Sequence, residues 1–197
     1  MKQYILSFLC ACFFSSGFAQ HQIGISGSVD ATNAVYFESL DGAGGSDGGT
    51  GYSLSLAYYY SINQNWTLQS GLTYRNAKHT ITPNLPPGEM VADQDYSRNL
   101  ISIPVVFRRY FGESNTRFFL DLGGSFDFER NVPSWLDDNS GVSILFSPGL
   151  EQKLNDSFAL NLAPQMQIHS LIPFQQDNHQ RRLIAAGIEI SLLYSLH

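Results

Sequence analysis

The last stretch of the chain, RRLIAAGIEISLLYSLH, repeats its chemistry every two residues. Ile184, Ala186, Ile188, Ile190, Leu192, Tyr194 and Leu196 are apolar, whereas Gly187, Glu189, Ser191 and Ser195 between them are small or polar. Successive side chains of a strand point to opposite faces, so this period predicts a β-strand with one apolar face. A tilted strand crosses a bilayer in roughly 9–11 residues, and this run is long enough to do so.

The pattern recurs along the chain. QIGISGSVD sets Ile23, Ile25 and Val29 against Gly24, Ser26 and Ser28, and YSLSLAYYYSI sets Tyr52, Leu54, Leu56, Tyr58 and Tyr60 against small residues. Trp66, Leu68, Leu72 and Tyr74 alternate with Thr67, Gln69, Thr73 and Arg75. LISIPVVFRRYF and FFLDLGGSFDFE follow, then VSILFSPGLEQK and FALNLAPQMQIH. Asn63-Gln64-Asn65, the GESNT segment from Gly112 and Leu154-Asn155-Asp156-Ser157 are short links. Residues 31–50, Ala77 to Arg98, the stretch after Glu129 and residues 171–181 read as longer ones. The glycine run DGAGGSDGG lacks the Lys-Ser/Thr of a phosphate loop and reads as a flexible polar loop. Short links alternating with long ones predict an all-β fold, an eight-stranded antiparallel up-and-down transmembrane β-barrel with short periplasmic turns and longer outer loops.

The first residues fit that destination. MKQYILSFLCACFFSSGFAQ has a basic Lys2, an apolar run from Tyr4 to Phe14, and small Gly17 and Ala19 ahead of a cleavage point before Gln20, as in a secretory signal peptide. Residues 1–19 are therefore expected to be removed, leaving 20–197 as one barrel domain in the outer membrane. A lipoprotein box at Leu9-Cys10-Ala11-Cys12 is the rival reading, but it leaves a very short apolar core. Both cysteines fall inside the leader, so thiol catalysis and Cys-based metal sites drop out. A net charge of −6, from 17 acidic against 11 basic residues, argues against nucleic acid as a partner.

Alternation alone does not say which face is outside, because a soluble lipocalin-like barrel would share it with the sense inverted. The polar face here is Ser, Gly, Ala, Asn and Gln with few lysines, which suits a narrow lumen better than a solvated exterior. Tyr58, Tyr60, Trp66, Phe118, Phe158 and Tyr194 fall near the periplasmic strand ends and Tyr52, Tyr74, Phe126 and Phe128 near the outer ends, as two interfacial girdles would. Ile188 and Leu122 are then lipid-facing. Pro104, Pro148 and Pro164 lack a ladder donor and predict bulges or locally opened pairing. The inward set includes Arg75, Arg108, Asp121, Asp127, Glu151, Lys153, Gln165, Gln167 and Glu189. Counting back from the GESNT turn brings Arg108 beside Asp121, so a lumenal Arg108–Asp121 ion pair is expected in a barrel filled by its own side chains.

Phe18-Ala19-Gln20 at the cleavage point, Ile103-Pro104-Val105 followed by FRRYFG, and the repeated Gly-x-Ser/Leu-x strands resemble the PorT-like eight-stranded outer-membrane barrels of Bacteroidota. Such barrels usually finish on an aromatic, whereas this chain ends Tyr194-Ser195-Leu196-His197, so the assembly signal would rest on Tyr194 and Leu196. The resemblance implies an outer-membrane location and, for some members, a role in protein secretion or surface attachment. It supplies no catalytic motif.

Residues that could carry chemistry are few. His169 and Ser170 are neighbours, but adjacent strand residues point apart, and Glu189 should lie well below them, so no Ser-His-acid site is expected. The five histidines share no metal-ligand spacing. Glu38, Asp41, Asp47, Asp137 and Asp138 could hold cations that bridge lipopolysaccharide, although loop carboxylates are more often simply solvated. The expected function is a non-enzymatic structural or surface-interaction barrel without cofactor, in contact with outer-membrane lipid and lipopolysaccharide. The alternatives are an accessory barrel of a secretion system acting through a protein partner, and a lipid-modifying enzyme.

Overall fold

A computed structural model describes residues 21–36, 45–82, 94–132, 137–175 and 181–196. The leader, with its cleavage point, and Glu38 and Asp41 lie outside them. The described chain forms β1 (His21–Tyr36), β2 (Gly45–Asp47), β3 (Gly49–Ser61), β4 (Trp66–Thr82), β5 (Gln94–Phe111), β6 (Thr116–Arg130), β7 (Gly141–Lys153), β8 (Phe158–Pro173) and β9 (Arg181–Leu196). Every neighbouring pair is antiparallel, and β1 pairs with both β3 and β9, which closes the sheet. The three-residue β2 pairs with the far end of β4 one residue out of step with β3, so β2 and β3 act as one strand broken at Gly48. The result is a closed eight-stranded barrel, all-β.

Three links at one end are tight. In two of them an asparagine side chain adds to the backbone bonds across the turn: Asn63 Oδ1 accepts from the amides of Asn65 and Trp66 at 2.9 and 3.0 Å, and Asn155 Oδ1 from those of Ser157 and Phe158 at 2.9 and 2.8 Å. The third uses Gly112 at φ 86°, a left-handed conformation that only glycine adopts without cost.

The other end is built differently from the sequence expectation. The region read as a loop from 31 to 50 contributes the top of β1, all of β2 and the start of β3, and the chain passes so close to Lys78 at Gly49 that a Cβ there would collide with the Lys78 carbonyl. β4 runs on to Thr82 and β5 starts at Gln94, inside the span read as a loop from Ala77 to Arg98. Similarly, β8 runs to Pro173, past the expected loop start at 171.

The prolines open ladders without shifting them. Pro148 and Pro164 face each other, and the β7–β8 register is the same on both sides of the gap, at Phe146 with Met166 and Leu150 with Leu162. Opposing the two prolines confines their missing donors to one ladder, and the Ser147 hydroxyl donates to the Pro164 carbonyl at 3.0 Å. Pro104 keeps pairing with β6, while the β4–β5 ladder skips the positions beside it. The bulge in the β7–β8 pairing lies elsewhere, between Val142 and Ile144, opposite Ser170, whose φ is 51°.

The faces divide cleanly. Val29 (70% exposed), Leu54 (60%) and Ile188 (57%) belong to an unbroken apolar exterior, whereas Arg108, Asp127 and Glu151 on the opposite parity are buried. An apolar sheath of that extent is incompatible with water on the outside. It is bounded at the turn end by ring pairs such as Phe158 with Tyr194, 5.1 Å apart, and at the loop end by Tyr52 with Tyr74 and Phe128 with Phe174, 6.4 and 5.7 Å apart.

Candidate functional site

With lipid-type chemistry outside, polar chemistry collects inside, in three layers. The lowest is centred on Arg108 and Asp121, which face each other directly across β5 and β6. Arg108 Nε and Nη2 donate to the two carboxylate oxygens of Asp121 at 2.7 and 2.8 Å, a bidentate pair. The guanidinium also lies 3.8 Å from the centre of the Phe119 ring and 5.2 Å from that of Tyr59. Room for the Phe119 ring comes from Gly149, where a Cβ would stand 2.3 Å from it. Tyr110 Oη donates to Glu151 at 2.7 Å, and Glu151 also takes Arg117, its cross-strand partner. Aromatics on the polar parity are cation platforms here rather than misplaced core.

The middle layer hangs on two carboxylates. Asp30 holds Arg75 and accepts from Ser28 and Gln165 at 2.9 and 3.0 Å, and Arg75 reaches Gln167 at 3.3 Å. Because β3 lies between β1 and β4, that pair reaches past a strand. Asp127 accepts from Ser125 at 2.6 Å and from Ser143, and pairs with His169 Nδ1 at 2.5 Å. The bulge at Ser170 turns it inward, so His169 and Ser170 are both buried, contrary to the expectation that they point apart. This is still not a nucleophile arrangement. The Ser125 and Ser143 hydroxyls sit on the acid rather than on the base, His169 Nε2 has no hydrogen-bond partner, and the cavity beneath this layer measures only about 40 Å³. A serine nucleophile needs its hydroxyl on the imidazole.

The upper layer closes the loop end. Arg98 Nη1 donates to both oxygens of Glu129 at 2.9 and 2.7 Å and to the Asp137 carbonyl at 2.9 Å, while its Nε donates to His79 Nε2 at 3.3 Å. Residues 137–140 reach over the mouth: the Asn139 amide donates to Glu129 at 2.7 Å, and Asn139 Oδ1 accepts from the Leu183 amide on β9 at 3.0 Å. Asp137 accepts from the Arg181 amide at 2.9 Å, and Asp138 takes the amide and hydroxyl of Ser140, both at 2.7 Å. Asp137 thus ties the segment to β9, and Asp138 holds the turn of the segment itself. No cluster suited to a metal ion occurs among the described residues. The wall of β4 that crosses the apolar zone ends at Tyr74, and His79 stands above it. Burial first, then the charges of Arg98 and Arg181, hold the His79 imidazole down to about 4.

The turn end is open. A cavity of about 740 Å³ enters there, lined by Tyr110, Arg117, Glu151 and Lys153 among others. Lys153, counted with the inward set, is exposed at this rim. Tyr59, Tyr110, Phe119, Arg117, Asp30 and Arg98 escaped the sequence reading: the parity of the strands as read already places Asp30, Tyr59, Tyr110 and Phe119 inside, and extending it by one or two residues adds Arg117 and Arg98.

No family model matches the chain, and no curated protein matches it in sequence. Solved structures do. OprG from Pseudomonas aeruginosa, an outer membrane protein, aligns with a TM-score of 0.56 at 11% identity, over 91% of this chain and 95% of that one. Neisserial surface protein A aligns with 0.53 at 13%, over 88% and 97%. The fold is that of the small outer-membrane barrels. At such identities the likeness carries the fold and nothing of the activity.

Proposed function

We propose that the chain is exported with removal of residues 1–19, spans the outer membrane with its tight turns in the periplasm, and serves there as a closed, non-enzymatic structural or surface-interaction barrel. The carrying observation is the combination of an apolar exterior with an interior filled by paired charges and capped at the loop end. The Arg108–Asp121 pair is assigned the role of central strut. Assignment to the PorT-like barrels of Bacteroidota rests on the residue pattern around Ile103-Pro104-Val105.

Membrane fractionation with a heat-modifiable gel shift tests the reading. Outer-membrane recovery and a shift on boiling are expected, and Ile188→Arg at mid-wall should cost roughly 2–4 kcal/mol and reduce the shifted species. A soluble protein without a shift, or an Ile188→Arg chain that folds as well as the parent, would refute it.

A second reading, an accessory barrel for secretion, draws support from the roughly 740 Å³ polar vestibule at the turn end, which under this orientation opens to the periplasm. Crosslinking from Gln64 to an envelope protein would favour it, and crosslinks to lipid alone would not.

A further inference from the structure

Asp30, Asp121, Asp127, Glu129, Glu151 and Glu189 all lie on the inward parity of their strands, whereas Lys78, Arg109, Arg130 and Arg182 lie on the outward one. Outward cations thus outnumber outward carboxylates along the strands, in a chain of net charge −6; the outward carboxylate positions, Asp47 and Asp95, share the Thr80 row one step beyond Lys78. Arg109 stacks between Trp66 and Phe111 at the turn end, and Arg182 Nε donates to the Ser170 carbonyl at 3.1 Å. Lys78 and Arg130 are exposed at the loop end.

The surface between those two is organised. Asn76, Asn99 and Arg130 form one cross-strand row over β4, β5 and β6, and Lys78 faces Ser97 in the next row on the same face. Asn76 Nδ2 donates to Ser97 Oγ at 2.7 Å and to Asn99 Oδ1 at 2.9 Å, and the Tyr74 hydroxyl reaches the same Asn99 oxygen at 2.7 Å. With strands about 4.8 Å apart, Lys78 and Arg130 bracket a strip about 10 Å wide, narrow enough for two long side chains to converge on one anionic group.

Tyr74 also ends an apolar exterior groove of about 620 Å³ walled by Ile25, Leu54, Leu56, Leu72 and Ile190. Gly27 lies in that groove, and a Cβ there would find its nearest neighbours at 3.7 Å, so a side chain would fill the depression without moving the barrel.

We infer that this face holds a phosphate-bearing membrane lipid, its acyl chain in the groove at Gly27 and its phosphate between Lys78 and Arg130. Arginine supplies forked donors to phosphate oxygens, and the Asn–Ser strip supplies neutral polar groups beside them. The assignment rests on the membrane-spanning reading above.

Native mass spectrometry of the detergent-refolded full chain, loaded with diphosphoryl lipid A or its phosphate-free form, tests it. The parent should retain the phosphorylated lipid preferentially. Lys78→Gln with Arg130→Gln should weaken retention about thirtyfold, a little over fivefold for each cation at the surface. Gly27→Leu should weaken it independently. A heat-dependent gel shift establishes that each variant is a folded barrel, so a chain without the shift speaks against the membrane reading rather than the lipid site. Folded variants that retain the lipid as the parent does, or a parent indifferent to the phosphates, would overturn the inference.

Discussion

The two mouths of this barrel are opposites. At the loop end Arg98, Glu129 and residues 137–140 knit β5, β6 and β9 together across the opening. At the turn end Tyr110, Glu151 and Arg117 form the roof of a vestibule of about 740 Å³ whose rim, including Lys153, is exposed. The same materials, arginine, carboxylate and aromatic ring, make a lid in one place and a lining in the other. What differs is the extra backbone: among the described residues, a chain segment folds inward to satisfy the buried charges at the loop end and none does so at the turn end.

If Arg108 and Asp121 form the floor that separates the vestibule from the upper layers, Asp121→Ala should be the most damaging change. It leaves a guanidinium that is nearly fully buried without its carboxylate, at a cost of roughly 3–5 kcal/mol. Thermal unfolding in micelles should drop far more for Asp121→Ala than for Asp156→Ala in an exposed turn, and equal melting temperatures would remove the strut. A smaller loss, about 1–3 kcal/mol, is expected for Glu129→Ala at the opposite mouth, because the equally buried Arg98 keeps the Asp137 carbonyl and His79 as acceptors. Hydrogen exchange should then quicken at the amides of Asn139 and Leu183 but not at Tyr110. Uniform quickening would mean that the two mouths are not independent.

The smallest effect is a pH dependence confined to the lid. Neutral His79 accepts from Arg98, and its folded-state pKa of about 4 lies below the ordinary value of 6.5. The unfolded chain therefore binds the extra proton first, so His79's contribution is full above pH 6.5 and is lost as pH falls toward 4. Melting curves of the parent and His79→Gln should diverge above that window and converge within it. A constant difference from pH 7.5 to pH 4 would contradict the assignment.

These contrasts also explain what could be read from the residues beforehand. Parity along the wall was legible because lipid-type and lumenal surroundings differ at every step, and it brought Arg108 to Asp121 by counting alone. Above Tyr74 the signal fades: Asn76, Lys78 and Thr80 face outward in polar company, so β4 looked finished where it continues to Thr82. The inward Tyr59, Tyr110 and Phe119 were hidden by the expectation that aromatic means exterior. The lid was illegible because its bonds join residues far apart in the chain, such as Asn139 and Leu183, and because the positive φ of Ser170 reverses one side chain.

A barrel this narrow is filled by its own side chains and should not conduct as an open channel. Planar-bilayer recording of the refolded chain tests it most directly. Little or no steady conductance is predicted for the parent, and stable porin-sized openings in the unmodified protein would contradict the account.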